Sequence, residues 1–239
     1  MFPYDPQLLA IAQSAPQSIE GVIAAMQAID SLCADGDGLK WFNRLYLSVT
    51  EAVSVGVSAN GFHDPTWMAA LDVNFAGLYL SALAASLSGE VAPRCWRALF
   101  DRRNWTALAR VQCALAGVNA HINHDLPLAI VMTGAAPVHG DAHYVDYTAI
   151  NGTLNGLVDR AKVELHVRLL GDILPPVNRL EDTVAAFSMT AAREAAWNNA
   201  EMFWALRPFP RLSSRMENTL DGTSAVIGKT LLVPVPQSL

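Results

Sequence analysis

The stretch Gly117-Val118-Asn119-Ala120-His121-Ile122-Asn123-His124-Asp125-Leu126-Pro127 decides how the chain is read. It lies in a helical pattern from residue 104 to 134 whose other positions are largely apolar, so other helices must enclose it. Polar side chains set into such a helix need partners. Burying one without a hydrogen bond costs roughly 1–3 kcal/mol on mutational scales. The cluster is therefore either a bonded structural network or a site.

Spacing sorts its members. His121 and Asp125 are four apart, as are Asn119 and Asn123, and residues at that spacing share a helix face. Gly117, Ala114 and Arg110 continue the His121/Asp125 stripe, so a second helix can approach closely at the small residues and meet the imidazole. His124 falls on another side of a regular helix. An imidazole oriented by a carboxylate is the natural general acid/base near neutral pH, which makes His121 and Asp125 the expected catalytic pair. The plainer reading is a core histidine bonded to its neighbour, with Asn119 tying helices together.

Composition narrows the class. The chain has 239 residues, of which 52% are hydrophobic and only 16% charged, enough for one large and well-buried core. A net charge of −6 with scattered basic residues argues against a nucleic-acid partner. Cys33, Cys95 and Cys113 lack paired spacing, so no disulfide framework or thiolate zinc motif is expected, and a reducing cytoplasm fits. Met1 to Gln13 does not read as a signal peptide. The greasiest run, Leu71 to Leu87, contains Asp72, Asn74 and Ser81 and falls short of the roughly 20 apolar residues of a membrane span, so it reads as a core helix.

Helical period dominates until the last ten positions, and the expected fold is all-α: a single-domain bundle over 1–239 with about six to eight helices and an extended C-terminal tail. Helices are expected at 18–32, 40–56, 65–88, 104–134, 143–170 and 180–205, with a shorter one at 93–100. Breakers fall at Ala34 to Gly38, Asn60 to Pro65, Ser88-Gly89 and Pro175-Pro176. The tail Leu231 to Leu239, with Pro234 and Pro236, should run extended. Gly222 to Thr230 imitates a phosphate-binding loop, but its glycine spacing is one residue too long and no strand-to-helix context surrounds it. No nucleotide-binding motif is present.

Two further polar stripes interrupt apolar helices. Asp72 is flanked by Met68, Phe75 and Tyr79, so desolvation should raise its pKa unless a cation pairs it. Tyr147, Asn151 and Asn155 repeat every four residues, preceded by His143 and Asp146. If the 104–134 and 143–170 helices form a hairpin across the Gly134 to Asp141 loop, Tyr147 and Asn151 meet His121, Asn123 and Asp125. Asn43, Tyr46 and Thr50 also share one helix face.

The His-x-x-x-Asp pair is similar to a fragment of the metal-binding helices of zinc-dependent phospholipases C and nucleases, although the further ligands and N-terminal Trp of that family have no counterpart here. Trp41 to Val53, Trp67 to Tyr79 and especially Ala116 to Leu126, with its Asn-Ala-His-Ile-Asn-x-Asp-Leu core, resemble a mainly actinobacterial family of helical proteins, a domain of unknown function. The resemblance covers about residues 18–233. It implies a helical domain centred on His121, Asn123 and Asp125, with no reaction to carry over.

The sequence thus supports an enzyme acting on a small, largely apolar molecule, in specialised metabolism, with His121 and Asp125 as acid/base pair and Asp72, Tyr79, Asn123, Tyr147 and Asn151 binding substrate. One alternative is a metal-dependent hydrolase, its divalent ion held by His121, Asp125 and His143, with His124, His139 or Asp141 as supplements. Another is a non-catalytic ligand- or partner-binding protein, a homo-oligomer included.

Overall fold

The computed structural model describes residues 2–152, 154, 156 and 188–234, and among these the protein is all-α with no strand. The helices are α1 (Asp5–Ala12), α2 (Ile19–Leu32), α3 (Gly38–Ser58), α4 (Pro65–Ser88), α5 (Arg94–Phe100), α6 (Arg110–Ala120), α7 (Leu126–Met132), α8 (Ala142–Ala149), α9 (Met189–Leu206) and α10 (Pro210–Leu231). A single π-turn, His121–Asp125, joins α6 to α7.

Local chemistry explains most boundaries. Ser18 caps α2 by accepting from Gly21 N, Asp37 caps α3 at Leu39 N, and Asp64 caps α4 at Trp67 N with Pro65 behind it. Gly89 ends α4 at φ 82°, a left-handed conformation that glycine adopts without strain.

The α6, π-turn and α7 rod is the axis of the fold. Val111 to Ala120 is buried on every side; α3, α5 and α10 pack on α6, while α4 and α9 pack on the π-turn and α7. One contiguous apolar core surrounds it. Gly117 carries this packing, because a β-carbon there would overlap the Phe42 ring on α3. Gly117→Ala is expected to cost about 1–3 kcal/mol by overpacking, read as a lower urea midpoint at unchanged m-value. An unchanged midpoint would mean that α3 shifts freely against the rod.

The expected 104–134 helix differs from the structure at two places. Residues 101–109 are turns, because Arg103 is drawn into a buried ion pair with Asp5 and Asp37 while its carbonyl accepts from Gly38 N at 2.6 Å. The π-turn is the second departure. Pro127 offers no N–H to the carbonyl of Asn123 and would collide with it in a regular helix. The helix widens instead, and Leu126 N–H bonds His121 O, five residues back.

Helices α1 and α10 were not expected. Gly222 to Thr230 lies within α10, which excludes a phosphate loop there. Leu231 ends α10, and Gln112 Nε2 pins the chain by donating to Leu231 O and Val233 O, both at 2.8 Å. The rest of the expected tail, Pro175-Pro176, Asn155, and the far ends of the 143–170 and 180–205 helices lie outside the described residues. Helix α4 is the one described helix long and apolar enough to cross a membrane, and half of its most apolar window is buried inside the fold.

Candidate functional site

Asp125 is the anchor of the buried polar cluster. Its Oδ2 accepts from Trp96 Nε1 at 2.8 Å and pairs with His121 Nδ1 at 2.9 Å, while Oδ1 pairs with His124 Nδ1 at 2.7 Å. His121 and Asp125 thus meet as their spacing predicts. His124 joins them against expectation, because the wide π-turn has more residues per turn, which narrows the angle between successive side chains and lets both rings reach one carboxylate.

The electrostatics follow from that geometry. Burial alone would raise the Asp125 pKa, but hydrogen bonds from the two imidazoles outweigh it and hold the carboxyl below its ordinary range. Burial pushes His121 below its ordinary 6.5, only partly countered by Asp125, so its ring is neutral near pH 7. With Nδ1–H donated to Asp125, Nε2 carries the lone pair. For His124 burial also disfavours the charge, yet Asp125, Asp221 and Glu217 together raise its pKa.

Aromatic rings fix the His121 ring in place. Phe75 of α4 stacks on it with centroids 3.4 Å apart and planes 5° from parallel, and Tyr46 of α3 meets it edge-on at 4.4 Å. Phe42 and Trp96 close the remaining sides.

Four buried side-chain atoms lack a geometrically sound hydrogen bond among the described residues, His121 Nε2, Tyr46 Oη, Thr50 Oγ1 and Asp72 Oδ2, with Thr50 still close enough to Tyr46 to favour its ionised form. All four come from the rod, α3 and α4, the helices that meet at the Phe75–His121 stack. Tyr46 and Thr50 are one turn apart on α3; Asp72 and Phe75 are one turn apart on α4. The Asp72 charge is near enough to raise the Tyr46 phenol, which burial already places well above its ordinary value. Asp72 itself is pushed up to about 7 by burial alone, with no cation beside it among the described residues. Native interiors rarely leave buried polar atoms unpaired, and such a group needs an explanation.

The other expected binding residues divide. Tyr79 is wholly buried in the same aromatic cage, 6.2 Å from His121 between centroids, with its hydroxyl donating to Asn43 Oδ1 at 3.4 Å. Asn123 turns away: its Nδ2 donates to Asn119 Oδ1, and Asn119 Nδ2 donates to Ser224 O, tying the rod to α10.

Tyr147 and Asn151 form a separate network. Tyr147 Oη donates to Arg193 O, Arg193 returns a bond to Tyr147 O and another to Asn151 Oδ1, and its guanidinium lies 3.9 Å from the Tyr147 ring. The expected hairpin contact with His121 is not made. Asp146 binds the backbone N–H groups of His63 and Asp64, which docks α8 on the α3–α4 loop and α9 instead of on the π-turn. His143 is likewise remote from His121, stacked on Trp67 at 4.5 Å and paired with Asp64 at 3.2 Å. The expected metal set of His121, Asp125 and His143 is therefore not assembled: two members bond each other and the third sits elsewhere. His139 pairs with Glu194 and Glu201 at an exposed edge.

Sequence reasoning assigned no role to Tyr46, Thr50, Phe75 or Trp96. The signal for the first two was present, since both share one α3 face with Asn43.

Residues 19–234 match the sequence model of a family described as a family of unknown function, DUF5995. No curated protein and no solved structure matches the chain.

Proposed function

The chain belongs to DUF5995, a family of unknown function, and from that premise we propose that it is an enzyme acting on a small, largely apolar molecule by acid/base chemistry at His121. The observation that carries this reading is the set of unpaired buried atoms His121 Nε2, Tyr46 Oη, Thr50 Oγ1 and Asp72 Oδ2 amid aromatic walls. Apolar lining with a few convergent polar groups is the usual composition of a small-molecule site.

The protonation states support the assignment of roles. Ordinarily a carboxyl is a far stronger acid than an imidazolium. Here burial inverts the order, with Asp72 raised to about 7 and His121 lowered. A neutral imidazole and a neutral carboxylic acid therefore coexist near pH 7, one able to take a proton and the other to give one. Asp125 fixes the His121 tautomer and stabilises the imidazolium once Nε2 has accepted a proton, while Trp96 holds Asp125. Tyr46 and Thr50 position a single polar group of the substrate. The three buried free thiols fit a cytoplasmic location.

The test begins with a thermal-shift screen of small apolar molecules bearing one carbonyl or hydroxyl group. Binding is expected to weaken in Thr50→Val and Asp72→Asn. For bound carbonyl compounds, proton exchange with deuterated water is expected to fall about 10²–10⁴-fold in His121→Ala. Full exchange in a folded His121→Ala protein, or binding indifferent to all three substitutions, would overturn the reading.

A further inference from the structure

Beside the π-turn, three side chains not yet assigned a role converge. Cys95 of α5, His124 of the π-turn and Asp221 of α10 each place one donor atom within 4.8 Å of the others. We propose that these residues form a three-ligand site for a zinc ion.

The donor chemistry selects the ion. A thiolate, an imidazole and a carboxylate suit zinc, whereas magnesium and calcium prefer oxygen alone. One thiolate and one carboxylate also balance the charge of the ion. Tetrahedral zinc would bring such donors to about 3.4–3.6 Å from one another, so closure requires each to move by an ångström or so.

The surroundings are arranged for ligation. Asp125 Oδ1 holds His124 Nδ1 at 2.7 Å, and Nε2 makes no hydrogen bond to a described residue. A carboxylate on the far ring nitrogen is the usual support of a zinc-bound histidine. Asp221 is held in turn by Arg94 Nε and Cys95 N, both at 2.8 Å, and also accepts from the Cys95 thiol. Those bonds already tie α5 to α10. The Cys95 thiol, itself hydrogen-bonded to Asp221, and the His124 imidazole are buried beside that tie. Exposed Glu217, one turn before Asp221, adds negative potential at the entrance. On binding, the Cys95 sulfur–hydrogen bond breaks, the proton leaves to solvent, and the sulfur pair binds the ion.

This site does not depend on the acid/base reading, and its test needs no substrate. Chelator-stripped full-length protein is titrated with cobalt(II), then with zinc. One equivalent of cobalt is expected to produce a thiolate-to-cobalt charge-transfer band that zinc abolishes. Cys95→Ser should lose the band while retaining helical circular dichroism, whereas Cys33→Ser and Cys113→Ser should keep it. A folded wild-type protein that shows no band at one equivalent, or a band that survives in Cys95→Ser, would overturn the proposal.

Discussion

Asp125→Ala is expected to cost the fold about 3–5 kcal/mol, the loss typical when one member of a buried charge cluster is removed. The substitution strands the Trp96 indole N–H and both imidazoles at once, and all three of these side chains are buried. Each stranded donor costs its desolvation without a compensating bond. Asp125→Asn should cost less, because the amide keeps one acceptor oxygen. Urea unfolding of the three proteins at pH 7 measures this. A loss below about 1 kcal/mol in the alanine variant would mean that the donors find new partners, and that Asp125 does not organise the cluster.

The second large effect concerns Asp72. Its folded pKa of about 7 lies above its ordinary 3.8. The folded state therefore retains a proton that the unfolded chain releases above about pH 4. Stability from this group is complete at acid pH and is lost as pH rises to about 7, by an amount on the order of 4 kcal/mol. Above that range the cost is constant. Asp72→Asn has no such proton to lose, so its stability relative to wild type should climb between about pH 4 and 7 and then level off. His121 works in the opposite direction, since its depressed pKa favours the fold at higher pH and its contribution is lost as pH falls through the mid-acid range. That effect is present in both proteins, so the difference between their profiles isolates Asp72. Parallel profiles would show that the carboxyl is solvated or paired.

How far the sequence could be read follows from which interactions are local. The His121/Asp125 pair lies one helical turn apart, so spacing alone revealed it, and Gly117 and Ala114 marked where another helix would approach. Asp72 stood out because its flanks are aromatic and apolar. The π-turn was not legible in the same way. Pro127 signals a disturbance, but whether a helix kinks, stops or widens there depends on what surrounds it, and that placed His124 on the wrong side. Helix α10 was missed because Thr219, Thr223, Ser224, Gly222 and Gly228 have poor helix propensity. Its stability is tertiary: Asn119 holds Ser224 O, Gln112 holds Leu231 O, and Gly228 lies so close to Ala98 that a β-carbon would come within 3.2 Å of it. The Tyr147 stripe misled for a related reason. Its periodicity identified a bonded face correctly, but the partner that faces it, Arg193, comes from a helix far along the chain.

The wide turn also fixes a phase relation along the rod. One extra residue in a helix rotates all that follows by about 100° relative to an unbroken spiral. Leu126, Ala129 and Ile130 are buried at their present azimuth only because that rotation has occurred. A regular helix of the same sequence, without the π-turn, would turn α7 by more than a quarter circle away from α4 and α9. The irregularity is therefore a register mark: the two halves of the central helix each obey the α-helical period, but they count from different origins.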